Sequence, residues 1–270
     1  MTLFDFLLFV PVGCVVGFFA GFFGVGGGIL MTPVLVFSYE HAGVSPSALT
    51  HIAFGTSLFA MVFASIMSAY QHNRQGSIAW RLVFLIGFSS ALTAFATTRL
   101  VAGVSGKFLR VVFALVVIAV GTRMLTEPET QTQKRLELLS KPGTTGIVGA
   151  GAIAGVVSAL AGVGGGLITI PMMYYVLKMP LKLAIGTSSA AIVITALFSV
   201  AGYIVHGMGH EGLPLWSFGF VDLRRGAALA IGTLLMARAG AYLSFRTHPH
   251  RLRKCFAFFI IIVSIYMFLK

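Results

Sequence analysis

Gly24-Val25-Gly26-Gly27-Gly28, five residues ahead of Pro33, decides the reading of this chain. A second copy, Gly162-Val163-Gly164-Gly165-Gly166, stands five residues ahead of Pro171, just past the middle of the 270-residue sequence. Both clusters are embedded in apolar sequence. A glycine inside a helix costs roughly 1 kcal/mol relative to alanine, so three in succession predict a break in each of two membrane helices. Paired interruptions at matching places in two halves point to a transporter's binding site.

The surrounding composition sets the compartment. Hydrophobic residues make up 57% of the chain and charged residues 10%, with a mean hydropathy of +0.96. Leu82 to Thr98 carries no charge, and Phe108 to Gly121 carries only Arg110. About 20 such residues cross the hydrocarbon core as a helix. Many such windows recur, which predicts an all-α polytopic protein and excludes a secreted chain with a signal peptide. The 19 Lys and Arg outnumber the 7 Asp and Glu. In this setting the excess reads as positive-inside loops and lipid headgroups, so no nucleic-acid partner is expected. Cys14 and Cys255 sit in apolar segments, so neither a disulfide framework nor a metal site is expected.

Landmarks repeat in order on either side of a polar run, Glu127 to Gly143. Gly17 answers Gly155, Pro33 answers Pro171, and Gly55-Thr56-Ser57 answers Gly186-Thr187-Ser188. Tyr70 with His72 is matched to Tyr203 with His206, and Leu109-Arg110 to Leu252-Arg253. Order kept over a whole half indicates an internal duplication. The expected division is residues 1–126 as a first transmembrane repeat, 127–143 as a cytoplasmic linker and 144–270 as a second repeat. Each repeat should hold one broken segment, 3–37 or 144–177, and three plain spans. Those are 47–71, 81–100 and 108–126, then 182–206, 223–245 and 254–269.

Charge counting chooses the topology. If each broken segment is a plain crossing, the basic residues divide almost evenly between the two sides. If each instead enters and leaves on one side, Arg99, Lys107, Arg110, Arg224, Arg225 and Lys270 face one way and the other 13 of the 19 face the other. The positive-inside rule favours the second case. An odd number of crossings per half makes the repeats inverted, with the linker cytoplasmic and both termini outside.

The breaks carry the candidate chemistry. The stretch after each cluster, Ile29 to Phe37 or Leu167 to Leu177, is too short to cross alone at about 1.5 Å per residue. It restarts as a short helix whose first N–H groups lack an intrahelical partner and whose dipole favours an anion. Glycine allows close approach to that backbone. The expected contacts are Gly24, Gly26, Gly27, Gly28 and Ile29 from one half and Gly162, Gly164, Gly165, Gly166 and Leu167 from the other. Glycines that only permit close helix packing are the competing reading. Thr56, Ser57, Thr187 and Ser188 place hydroxyls inside apolar helices, where they can donate to an anion or back-bond to their own helix. His51 lies one turn before Gly55 and is the proton-exchanging candidate. The seven carboxylates, Asp5, Glu40, Glu127, Glu129, Glu137, Glu211 and Asp222, all fall at ends or in loops. The usual proton or sodium ligands of coupled carriers are therefore missing. Anion export needs none, because moving one negative charge out of a negative-inside cell gains about 2.3 kcal/mol per 100 mV.

Phe23-Gly24-Val25-Gly26-Gly27-Gly28 with Pro33, Gly55-Thr56-Ser57, Gly162 to Pro171 and Ala184-Ile185-Gly186-Thr187-Ser188 resemble the sulfite exporter TauE/SafE family over nearly the whole chain. The resemblance implies a multi-pass permease of the bacterial inner membrane for sulfite, organosulfonates or related small sulfur oxyanions. Lipid is its other partner, no cofactor is expected, and self-association into a homo-oligomer stays open. The segment from Pro171 to Gly186 is shorter than that from Pro33 to Gly55, which speaks against a fully symmetric site. A proton-coupled importer of the same anions and a membrane assembly factor are the alternatives. No HExxH, CxxC or paired-carboxylate constellation supports an enzyme.

Overall fold

The computed structural model describes residues 3–101, 143–162, 164–175, 177 and 179–248, with single positions between 103 and 122 and between 250 and 261. Eight helices lie wholly among the described residues: α1 (Leu3–Phe23), α2 (Gly28–His41), α3 (Pro46–Arg74), α4 (Trp80–Val101), α5 (Thr144–Ala161), α6 (Gly166–Tyr175), α7 (Leu181–Gly207) and α8 (Leu223–Arg246). Of these, α3, α4, α7 and α8 are long and apolar enough to cross a membrane, whereas α1 and α5 carry shorter apolar stretches. The expected spans 108–126 and 254–269 and the linker 127–143 lie almost wholly outside the described residues. The expected boundaries elsewhere hold within a turn. The largest shift is at α2, which runs one turn past Phe37 to His41 and stops where Gly43 turns left-handed at φ 70°.

An element that the periodicity did not announce lies between α7 and α8. Strands β1 (Ser217–Phe218) and β2 (Val221–Asp222) pair antiparallel around Gly219. Gly219 has φ 56°, and any Cβ there would run into the Ile204 carbonyl. Among the described residues this short hairpin, which folds inward and buries Phe220, is the one departure from an all-α fold.

Helix directions follow from which small residues touch. A Cβ on Gly13 would meet the Leu229 carbonyl, on Gly17 the Thr233 Cα and on Gly21 the Ala237 backbone, so α1 and α8 run parallel. Likewise Gly151 lies on Ile86 and Gly155 on Ser90, so α5 and α4 run parallel. Helices α3 and α7 are antiparallel. Gly55 would place its Cβ 3.3 Å from the Tyr203 Cβ, and Gly186 its own 3.0 Å from the His72 Cβ. The spacing from Gly55 to His72 equals that from Gly186 to Tyr203, so Tyr203, not His206, occupies the place matching His72. The proximity of Tyr to His in both halves misled the sequence pairing.

Without water to drive apolar association, membrane helices gain from backbones that approach closely at small residues. The seam of Gly13, Gly17 and Gly21 against Gly232, Thr233, Ala237 and Gly240 is such a packing surface. On the outside, Phe84, Phe88 and Leu92 of α4 are more than half exposed at successive turns, as a lipid-facing stripe requires.

Candidate anion site at two helix breaks

Each break is built by three glycines in the left-handed region. Gly24, Gly26 and Gly27 have φ of 69°, 76° and 87°; Gly162, Gly164 and Gly165 have 63°, 70° and 78°. An L-residue pays about 1–2 kcal/mol to sit there, which explains why the clusters are glycine. The Gly24 N–H closes α1 on the Ala20 carbonyl at 2.9 Å, and Gly162 closes α5 on Ser158 at 2.9 Å. The chain then folds back along the helix it has left. A Cβ on Gly27 would lie 2.9 Å from Val16, and one on Gly165 would lie 3.2 Å from the Ala154 carbonyl. Tyr39, near the end of α2, shares the Arg225 guanidinium with Phe9, near the start of α1. Helices α1 and α2 therefore begin and end at the same end of the molecule.

The restarting helices begin with donors that have no intrahelical partner. The Gly27 carbonyl accepts from Leu30 and Met31 at 3.0 and 3.1 Å, and the Gly165 carbonyl accepts from Ile168 and Thr169 at 3.1 and 3.0 Å. The N–H groups of Gly28 and Ile29, and of Gly166 and Leu167, precede these first intrahelical bonds. The two breaks touch: a Cβ on Gly166 would lie 2.9 Å from the Val25 Cα. They meet beside the middle of α3, where Met61 packs against both Gly26 and Gly164.

The hydroxyl motifs divide between the breaks and the loops. Ser57 Oγ lies 3.1 Å from the Gly162 carbonyl and 2.8 Å from that of Phe54, and accepts from Thr32 Oγ1 at 3.2 Å. It therefore borders the second break. Ser188, its counterpart, is buried with no hydrogen-bond partner among the described residues. The residue matching Thr32 there is Ile170, which has no hydroxyl to offer. Thr56 and Thr187 instead hold loops: Thr56 Oγ1 accepts from Asp222 N at 2.9 Å and Thr187 Oγ1 from Ala79 N at 3.0 Å. His51 also lies away from the breaks. Its Nδ1 and Nε2 each sit 3.0 Å from a carbonyl, of Ser47 and Val101 respectively, and its ring packs on Phe220.

Two groups were missed by the sequence reading. Ser65 and Ser158 are buried hydroxyls without hydrogen-bond partners among the described residues. Ser65 Oγ would be 3.1 Å from a Cβ on Gly26, and Ser158 Cβ 3.7 Å from one on Gly165. Their signal was a serine between apolar neighbours, Ala64 and Ile66 in one case and Val157 and Ala159 in the other. The second is a buried charge cluster at the start of α8. Asp222 caps that helix by accepting from the N–H groups of Arg224 and Arg225, pairs with Arg225 Nη1 at 3.3 Å, and accepts from the Tyr39 hydroxyl at 3.3 Å. It ties α2, α3 and α8 together. The Asp-x-x-Arg spacing of 222 and 225 before an apolar run was its signal.

Paired glycine breaks that meet inside a bundle of long apolar helices match the architecture expected of a membrane transporter. The chain belongs to the sulfite exporter TauE/SafE family, whose sequence profile matches residues 9–268. It is 30% identical over 266 residues to a "probable membrane transporter protein" of Haemophilus influenzae, covering 98% of each chain. A protein of Methanocaldococcus jannaschii with the same description is 27% identical over 271 residues, again covering 98% of each. One from Xylella fastidiosa strain 9a5c is 29% identical over 273 residues, covering 99% of this chain and 96% of that one. No solved structure matches the chain significantly.

Proposed function

We propose that the protein exports small sulfur-containing anions, such as sulfite or organosulfonates, across the bacterial inner membrane, binding them between the two glycine breaks. The observation that carries this reading is the meeting of two helix N-termini, opened by left-handed glycines, beside Met61. Their free N–H groups and dipoles favour an anion, and Ser65, Ser158 and Ser188 supply hydroxyls that would otherwise be buried without partners. Met61 occupies the space between the breaks and moves aside when an anion enters. The protein acts as a permease and not as an enzyme.

In this reading the halves 1–126 and 144–270 are inverted repeats joined by a cytoplasmic linker, 127–143. The antiparallel α3 and α7, with reciprocal contacts at Gly55 and Gly186, support inversion. So does the return of α2 to the starting end of α1. Export driven by the anion's own charge fits the position of the one buried carboxylate among the described residues, Asp222, which is paired at a helix end.

The test is flux of radiolabelled sulfite and of a sulfonate from proteoliposomes with an imposed voltage and no pH gradient. Voltage-driven flux in the wild type, abolished by Gly27→Val and by Gly165→Val in folded protein, is expected. Flux that appears only with a proton gradient would replace this reading with the coupled importer.

A further inference from the structure

A basin of about 600 Å³ opens between the last turns of α3 and the second half of α8, lined by Gln71, Arg74, Gln75, Leu235, Arg238 and Tyr242. Among the described residues two guanidinium groups and no carboxylate line it. Arg238 lies two turns inside the end of an apolar span, where a charge is costly and marks an ion pathway unless something else satisfies it. The buried Gln71 fixes it, accepting from Arg238 Nε at 3.1 Å, and its guanidinium lies 5.8 Å over the Tyr70 ring. Neither arginine pairs with a carboxylate among the described residues. Glu40 and Asp222 sit at the opposite end of the bundle, by the start of α3 and α8, and Glu211 follows the end of α7 there.

A second observation leads inward from the basin. Ser65, Ser68 and His72 of α3 and its C-cap Gln75 recur at helical spacing along one stripe. Gln75 Oε1 and Ser65 Oγ are buried without hydrogen-bond partners among the described residues. The His72 ring faces the Gly21 backbone without a hydrogen bond of normal geometry. Ser68 meets Ser189 of α7 at 2.9 Å. The stripe starts at the basin and ends at Ser65, beside Gly26 in the first break. Buried polar atoms left open at successive turns are costly unless a solute or water visits them.

We propose that this basin is an oxyanion-binding vestibule that feeds the glycine breaks along the polar stripe of α3. Arg74 and Arg238 would hold a sulfonate- or phosphate-like group, whose oxygens match the guanidinium fork. The route rests on the reading of the breaks as the central site; the basin's affinity for an oxyanion does not. Such a group belongs either to a free small anion or to a lipid headgroup, and the vestibule requires the first.

The experiment uses full-length protein carrying Cys14→Ala and Cys255→Ala in nanodiscs of zwitterionic lipid. Gln75→Cys reports from the mouth of the stripe and Ala239→Cys, at an α8 residue that also lines the basin, from the facing wall. Each is reacted with a sulfonate-bearing and with a trimethylammonium-bearing methanethiosulfonate. The sulfonate reagent should be favoured about tenfold over its ratio on a free thiol, from focusing of charge in a cleft. Adding Arg74→Gln and Arg238→Gln should return both reporters to the free-thiol ratio, while Gly27→Val should leave the preference intact although it stops flux. A free-thiol ratio with both arginines present overturns the proposal. So does loss of the preference in nanodiscs of phosphatidylglycerol, which would assign the basin to headgroups. A preserved preference with no anion flux in any variant would instead sink the reading of the breaks.

Discussion

Gly26→Ala against Gly43→Ala separates the breaks' chemistry from their backbone strain. Both glycines are left-handed, at φ 76° and 70°, so alanine costs each about 1–2 kcal/mol of strain. At Gly43 the new methyl group meets nothing within 4 Å, and the site is a loop at the end of α2. At Gly26 it would lie 2.5 Å from Met61 Cγ and 3.1 Å from Ser65 Oγ, in the space where the two breaks meet. Met61 is flexible and can give way, so the fold should survive. The methyl group then occupies the path to the backbone N–H groups. A hydrogen bond to a charged partner contributes about 1.5–3 kcal/mol, so losing one weakens anion binding by roughly 10- to 150-fold. The assay is voltage-driven sulfite efflux from proteoliposomes at matched protein density, with thermal melts of both variants. The expected result is similar melting shifts, near-normal flux for Gly43→Ala, and at least a tenfold rise in KM for Gly26→Ala. Equal kinetics in the two variants would refute a binding role for the junction.

Thr187→Val leaves the Ala79 N–H without its acceptor and should cost about 1–3 kcal/mol of stability. Because that hydroxyl holds a loop, flux per folded molecule should stay near normal, whereas Ser188→Ala should impair flux without a large change in melting. Asp222→Asn leaves the buried Arg225 charge unpaired and should destabilise by about 3–5 kcal/mol. Combining Asp222→Ala with Arg225→Met should recover part of that loss, and a double variant no more stable than Asp222→Asn in thermal melts would contradict a buried ion pair. His51→Gln should lower stability by freeing the Val101 carbonyl while voltage-driven efflux persists; loss of flux at every pH with binding intact would make His51 an obligatory proton relay. In intact cells, an impermeant thiol reagent should modify Gly103→Cys and not Gln131→Cys, and the opposite pattern reverses the topology.

The sequence alone located the two helix breaks and, to within a turn, the plain spans 47–71, 81–100, 182–206 and 223–245. These features are local. Three clustered glycines break a helix wherever they stand, and an uncharged run of membrane length becomes a span whatever it packs against. It also carried the family, through motifs that recur at fixed places. Tertiary structure decided which polar groups face which cavity. Thr56 and Ser57 are neighbours in the chain, yet one holds the Asp222 backbone and the other borders the second break. Thr187 and Ser188 divide in the same way, but Ser188 finds no partner among the described residues, and position 170 is isoleucine where position 32 is threonine. No spacing rule reveals such a difference, because the partner arrives from another helix. Arg238 likewise reads in sequence as one more positive residue near a helix end. Only the packing of α8 against α3 sets it on Gln71, facing Arg74 across a basin with no carboxylate among the described residues, because a charge's partners are defined by what the rest of the fold brings beside it.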